Sequence, residues 1–105
     1  MLFNKQKFAV GDIISVKLIT GDEVMGKFVE DAMGTITLDR PLMLTMTQKG
    51  PAMSPVLMTV NPDAKLTFNS SAIITMVETD QEIGKQYVFQ TTGIQPVSAG
   101  SIIKG

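Results

Sequence analysis

Gly11-Asp12-Ile13-Ile14-Ser15-Val16-Lys17-Leu18-Ile19-Thr20-Gly21-Asp22-Glu23-Val24-Met25-Gly26-Lys27-Phe28, with its continuation to Leu38, decides the fold. Ile14, Val16 and Leu18 alternate with Ser15 and Lys17, the period-two pattern of a strand with one face buried. Thr20-Gly21-Asp22 is a turn signal, and a second strand follows over residues 23–30. Val24, Gly26 and Phe28 share a face there. A glycine inside a strand marks a bend, a bulge or a close backbone neighbour, so the pair is expected to be a strongly bent hairpin.

Beyond the hairpin, Asp31-Ala32-Met33-Gly34 leads to a third alternating run, Thr35-Ile36-Thr37-Leu38, then Asp39-Arg40-Pro41 and the apolar Leu42-Met43-Leu44-Thr45-Met46. Pro41 lacks a ladder donor, which predicts either one long strand bent there or two short strands. Residues 47–55, rich in Gly, Pro and Ser, read as an exposed loop, and residues 56–60 as the fourth strand. Asn61-Pro62-Asp63-Ala64 is a further turn. The chain then passes through Leu66 and Phe68 to a fifth strand over 72–78. Short strands at close intervals, with no long helical pattern between them, point to a small antiparallel barrel or sandwich. Thr79 and Glu82 stand at capping-box spacing, so residue 80 can open a short helix, while Tyr87-Val88-Phe89 equally suits an added strand. Residues 93–105 have the Gly, Ser and Pro content of a tail that orders only if Ile102-Ile103 docks on a neighbour. The expected organisation is an extension over 1–10, a β domain over 11–78 and a C-terminal extension over 79–105.

A length of 105 residues suits one domain. With 44% hydrophobic and 18% charged residues, the chain can build a core and is apolar enough to suggest that a partner covers some of its surface. Cysteine is absent, which excludes disulfides, thiolate metal sites and cysteine nucleophiles. Histidine is also absent, which removes the commonest general base and metal ligand. No enzyme activity, cofactor or metal is expected. The acidic pairs Asp22-Glu23 and Glu30-Asp31 lack the ligand spacing of a calcium loop. Lys49 is a lone charge, and a net charge of -1 provides no drive toward phosphate backbones. Residues 1–8 show no apolar signal core and no long apolar run occurs, so the expectation is a cytoplasmic protein without a membrane partner.

In its order of apolar, glycine and acidic positions, residues 11–38 resemble the first motif of the Sm-like family (LSm and Hfq): Ile14-x-Val16-x-Leu18, Gly21, Val24, Gly26, Phe28, an acidic residue, a methionine and Leu38. Phe68-Asn69-Ser70-Ser71-Ala72-Ile73-Ile74-Thr75 is similar to the segment before that family's last strand. The resemblance spans roughly residues 11–78. It implies an all-β fold, a five-stranded, strongly bent antiparallel open barrel of the SH3-like kind. It also implies a homo-oligomer, a ring of about five to seven subunits whose fourth and fifth strands pair between neighbours and so use up exposed edges.

By the same resemblance, the RNA-binding positions are Asp31, Met33 and Gly34 on one side and Ser70 and Ser71 on the other. Two departures bear on function. The family's base-holding Asn falls at Gly34, which has no side chain, and its Arg-Gly or Lys-His pair is replaced by the neutral hydroxyls of Ser70-Ser71. Some phage-encoded members depart from the cellular pattern in this way. The expected function is a ring that binds RNA with low sequence specificity through repeated weak sites. The alternative is a structural or adaptor ring that binds a protein partner and no RNA, through residues 47–55 or the tail.

Overall fold

The computed structural model describes residues 8–93, so the expectations for the tail and for the first seven residues lie outside them. The chain forms β1 (Ile13–Leu18), β2 (Glu23–Ala32), β3 (Thr35–Thr47), β4 (Gly50–Pro55), β5 (Lys65–Asn69), a 3-10 turn (Ser70–Ala72), β6 (Ile73–Glu78) and α1 (Gln81–Thr92). The strands make one antiparallel, unclosed sheet in the order β4-β3-β2-β1-β6, with β5 also paired to β3. The all-β expectation is borne out at that level.

The hairpin that opened the reading forms as its alternation requires. Ile14 pairs with Gly26 and Val16 with Val24, which sets their side chains on one face. Those residues, with Phe28, Ile36 and Leu38, are the core, and Leu18, Phe68, Ile73 and Met76 pack around it. Each large side chain removed from water here contributes roughly 1.5–3 kcal/mol. Phe8 closes one end, its ring 5.7 Å from that of Phe28.

The bend has a specific origin. The β2–β3 register shifts by one residue between Met25 and Lys27, which leaves Gly26 facing Arg40 and Pro41. Arg40 takes the extra residue in a left-handed conformation, φ 51°, at a cost of about 1–2 kcal/mol for a side-chain-bearing residue. A Cβ on Gly26 would lie 3.1 Å from Leu38 Cβ and 3.2 Å from Pro41 Cα, so only glycine lets β3 cross this closely. Pro41 therefore marks a bulge within one continuous strand. The same bulge switches the partner on β3's far edge: β5 lies against Thr35 to Asp39 and β4 against Leu42 to Thr47.

Three expectations need correction. Residues 47–55 are no loop, because Thr47 and Gly50 close a two-residue turn and β3 continues into β4 as a hairpin. Pro51 and Pro55 are tolerated since that closing pair makes 47/50, 45/52 and 43/54 the hydrogen-bonded pairs, so residues 51, 53 and 55 face away from β3. Residues 56–60 form no strand; the fourth-strand role is divided between β4 and β5, and the described sheet has six strands. The last strand begins at Ile73, with Ala72 inside the 3-10 turn.

The alternative left open at residue 79 resolves to the helix, although its cap differs from the capping box. Asp80 is the N-cap, its Oδ2 accepting from the Glu82 and Ile83 amides at 3.1 and 3.3 Å, while the Thr79 hydroxyl pairs with that of Ser15 at 2.7 Å. Gly93 ends α1 in the left-handed conformation. Tyr87 is fully buried and its hydroxyl reaches the Asp39 and Arg40 carbonyls at 2.9 and 2.8 Å. Arg40 Nη1 donates to the Thr91 carbonyl at 3.2 Å, so α1 is fastened to the β3 bulge at two points.

Candidate functional site

The residues singled out by resemblance come together. β5 ends beside the start of β3, with Asn69 opposite Thr35, and the Ser70 amide donates to the Gly34 carbonyl at 2.9 Å. On the other side of the 3-10 turn the Ile19 amide donates to the Ala72 carbonyl at 2.9 Å. The turn thus ties the two strand-connecting turns of the hairpin region to the last strand. Gly34 makes the tight β2–β3 connection with φ 79°, a conformation that favours glycine over the asparagine the family carries there. Asp31, Met33, Gly34, Ser70 and Ser71 are all exposed, Met33 at 90%.

The chemistry of this end is weak. The Ser70 and Ser71 hydroxyls make no hydrogen bond among the described residues, so they are free donors rather than the local backbone caps that serines before a strand usually provide. Glu30 and Asp31 are the only charged side chains across residues 29–37 and 67–75, and they repel a phosphate. Those two segments carry no Lys or Arg to offset them. Among the described residues no group of three or more His, Cys, Asp or Glu is placed to hold a metal ion. No helix among them is long and apolar enough to cross a membrane.

Three features escaped the sequence. The first is a pair of open strand edges. The Ser70 to Gly34 and Arg40 to Ala64 bonds flank β5 and fix its alternation, so the amides of Lys65, Thr67 and Asn69 point away from β3. On β6 the Thr79 to Ile13 bond sets Met76 and Glu78 pointing away from β1. Among the described residues neither edge has a strand partner. The second is the β3–β4 hairpin arm. Leu44 lies opposite Met53 and Met46 opposite Pro51, so one face of the hairpin is apolar, and the other carries Met43, Thr45, Thr47, Ala52 and Ser54. Met46 is 79% exposed.

The third is an open groove of about 590 Å³ where the foot of α1 meets the ends of β1 and β6, bordered by Asp12, Ile13, Glu78, Asp80, Gly84 and Val88. Alternation alone signals the arm, once its prolines are recognised as edge-strand residues; the groove and the open edges depend on contacts distant in sequence.

The hub at Arg40 is structural. Its Nε lies 3.6 Å from Asp63 Oδ1, an ion pair too long for a hydrogen bond, and makes no hydrogen bond among the described residues. Burial, with the Asp39 charge nearby, pushes the Tyr87 phenol up to about 12, which keeps it a proton donor to the bulge carbonyls. Compared with known proteins, the chain matches no family model and no curated protein.

Proposed function

We propose that the protein is an Sm-like open barrel whose copies join edge to edge, β6 of one against β5 of the next, into a homo-oligomeric ring that serves as a structural or adaptor scaffold for a protein partner. The observation that carries this is the contrast between strand edges. β4, also at an edge, has Pro51 and Pro55 where outward amides would be, a device that prevents pairing, whereas β5 and β6 present theirs without proline. β6 ends the sheet order on one side and β5 is a free edge beside β3 on the other, with a 3-10 turn linking the two, which supports the same reading. Sedimentation velocity on the purified chain tests it: one species of several subunits is expected, and a monomer at all concentrations contradicts it.

RNA binding is the second reading, and the bond between Gly34 and Ser70 supports it by bringing the two halves of the resembling site together. The acidic surroundings and missing Asn and Arg place it behind the scaffold. A mobility-shift titration with U-rich and A-rich RNA at low salt separates the two. The scaffold reading expects no shift; a shift that weakens when Ser70 and Ser71 are replaced by alanine would restore the RNA reading.

A further inference from the structure

At Met46, 79% exposed, the hairpin arm presents an apolar face that no described residue covers, and its edge is closed to strand pairing by proline, so a partner there must use the face. The sheet determines where that face lies relative to a neighbour. β5 and β4 follow one another along the same edge of β3, divided by the Arg40 bulge. A strand laid antiparallel along β5 runs from Asn69 toward Lys65, which is toward the arm. If that strand is the neighbour's β6, its last residue, Glu78, and the foot of the helix that follows arrive beside the arm. Those elements border the groove.

Size and charge agree. Past Leu44, the last β3 residue paired with β2 on this side, the free arm extends about 10 Å to Thr47 at about 3.4 Å per residue, and the groove borders the first two turns of α1, about 11 Å. The charged side chain in residues 42–55 is Lys49 alone, exposed at the arm's tip. The groove's rim carries Asp12, Glu78 and Asp80, while its cation, Lys85, is paired with Glu82 at 3.5 Å. A basic tip is thus complementary to an acidic rim, and the apolar Met46, with Leu44 and Met53 beside it, to Ile13 and Val88.

We infer that the β3–β4 arm of one subunit packs its apolar face into the groove at the foot of α1 of a second copy of this chain. The inference rests on the edge-pairing reading and deepens it: the edges give the order of subunits, and the arm gives the side-chain contact that fixes their angle. Strand edges alone present the same backbone groups to any neighbour, whereas an apolar arm in an acidic-rimmed groove selects one partner surface.

The absence of cysteine makes the test clean. A Met46→Cys chain and a Gln81→Cys chain, each exposed at its site, are mixed, allowed to exchange subunits and treated with a short bis-maleimide, with Lys17→Cys as the off-site control. The expected result is a covalent pair of Met46→Cys with Gln81→Cys and none with Lys17→Cys, together with labelling of Met46→Cys slowed about tenfold or more in the assembly. An assembly by sedimentation that gives no such pair, with Met46→Cys freely labelled, overturns arm docking and leaves edge pairing standing; the arm would then be free for a different protein or a lipid surface. A monomer overturns both. A pair that persists when edge pairing is blocked by Thr67→Pro supports the arm contact and contradicts its dependence on the edge.

Discussion

The two halves of β3 share a strand and an alternating pattern and have opposite fates. Before the Arg40 bulge, Ile36 and Leu38 are 3% and 1% exposed, held between β2 and β5. After it, Leu44 is still paired with Glu23 of β2 and is half-buried, whereas Met46, past the end of β2, is 79% exposed on a hairpin arm shared with β4. Alternation specifies that one face is apolar, and the surroundings decide whether that face is covered within the chain or left for a neighbour.

The sharpest way to break this contrast is to truncate one residue in each half. Leu38→Ala should cost about 2–5 kcal/mol, since it leaves a cavity among Phe28, Ile36 and Leu66. Met46→Ala should cost less than about 0.5 kcal/mol in the isolated chain, where it removes no buried contact. Urea unfolding of both, at concentrations where the Thr67→Pro background holds the chain as a monomer, measures the difference; equal losses would mean that the arm folds onto its own barrel.

The bulge that separates the halves has its own signature in pH. Tyr87 donates to the carbonyls there, and its phenol stands near 12 against an ordinary value of 10. The folded protein therefore holds this proton more tightly than the unfolded chain. The stabilisation is complete below pH 10 and is lost as pH rises from 10 toward 12, by at most about 3 kcal/mol. Tyr87→Phe should remove that segment of the stability profile relative to the parent; identical slopes for the two proteins would show that the hydroxyl does not hold the bulge.

Gly26→Ala probes the same crossing by sterics. With a Pro41 backbone atom 3.2 Å from the added carbon, the neighbour cannot turn aside as a side-chain tip would, and about 1–3 kcal/mol of stability should be lost in the same unfolding assay.

The hairpin and the first half of β3 were legible because alternation, a turn glycine and a close-packed Gly26 all agree over a short span. β4 was misread because proline counts against a strand in any scale that ignores which way the amide points, and at an edge that direction is what permits it. Residues 56–60 were misread for the converse reason: an apolar, β-branched run becomes a strand only when an edge is there to receive it, and β3's is already taken by β4 and β5. The helix was readable in outline, yet the Tyr87 contact that seats it spans 47 residues of sequence and left no local trace. Of the candidate site, the residues were identifiable by resemblance. Their junction through Ser70 and Gly34 required the fold.

The proposed assembly requires β5 to be an edge open to a second copy while β4 is closed, and one substitution transfers the closure. Thr67 is exposed and its amide points away from β3, so Thr67→Pro places on β5 the same guard that Pro51 and Pro55 place on β4, with the β3–β5 ladder left intact. Sedimentation velocity of the parent and of Thr67→Pro, paired with circular dichroism to verify the fold, is the direct measurement. The account predicts an assembly of several subunits for the parent and a folded monomer for the variant; a parent that sediments as a monomer, or a variant that assembles unchanged, contradicts it.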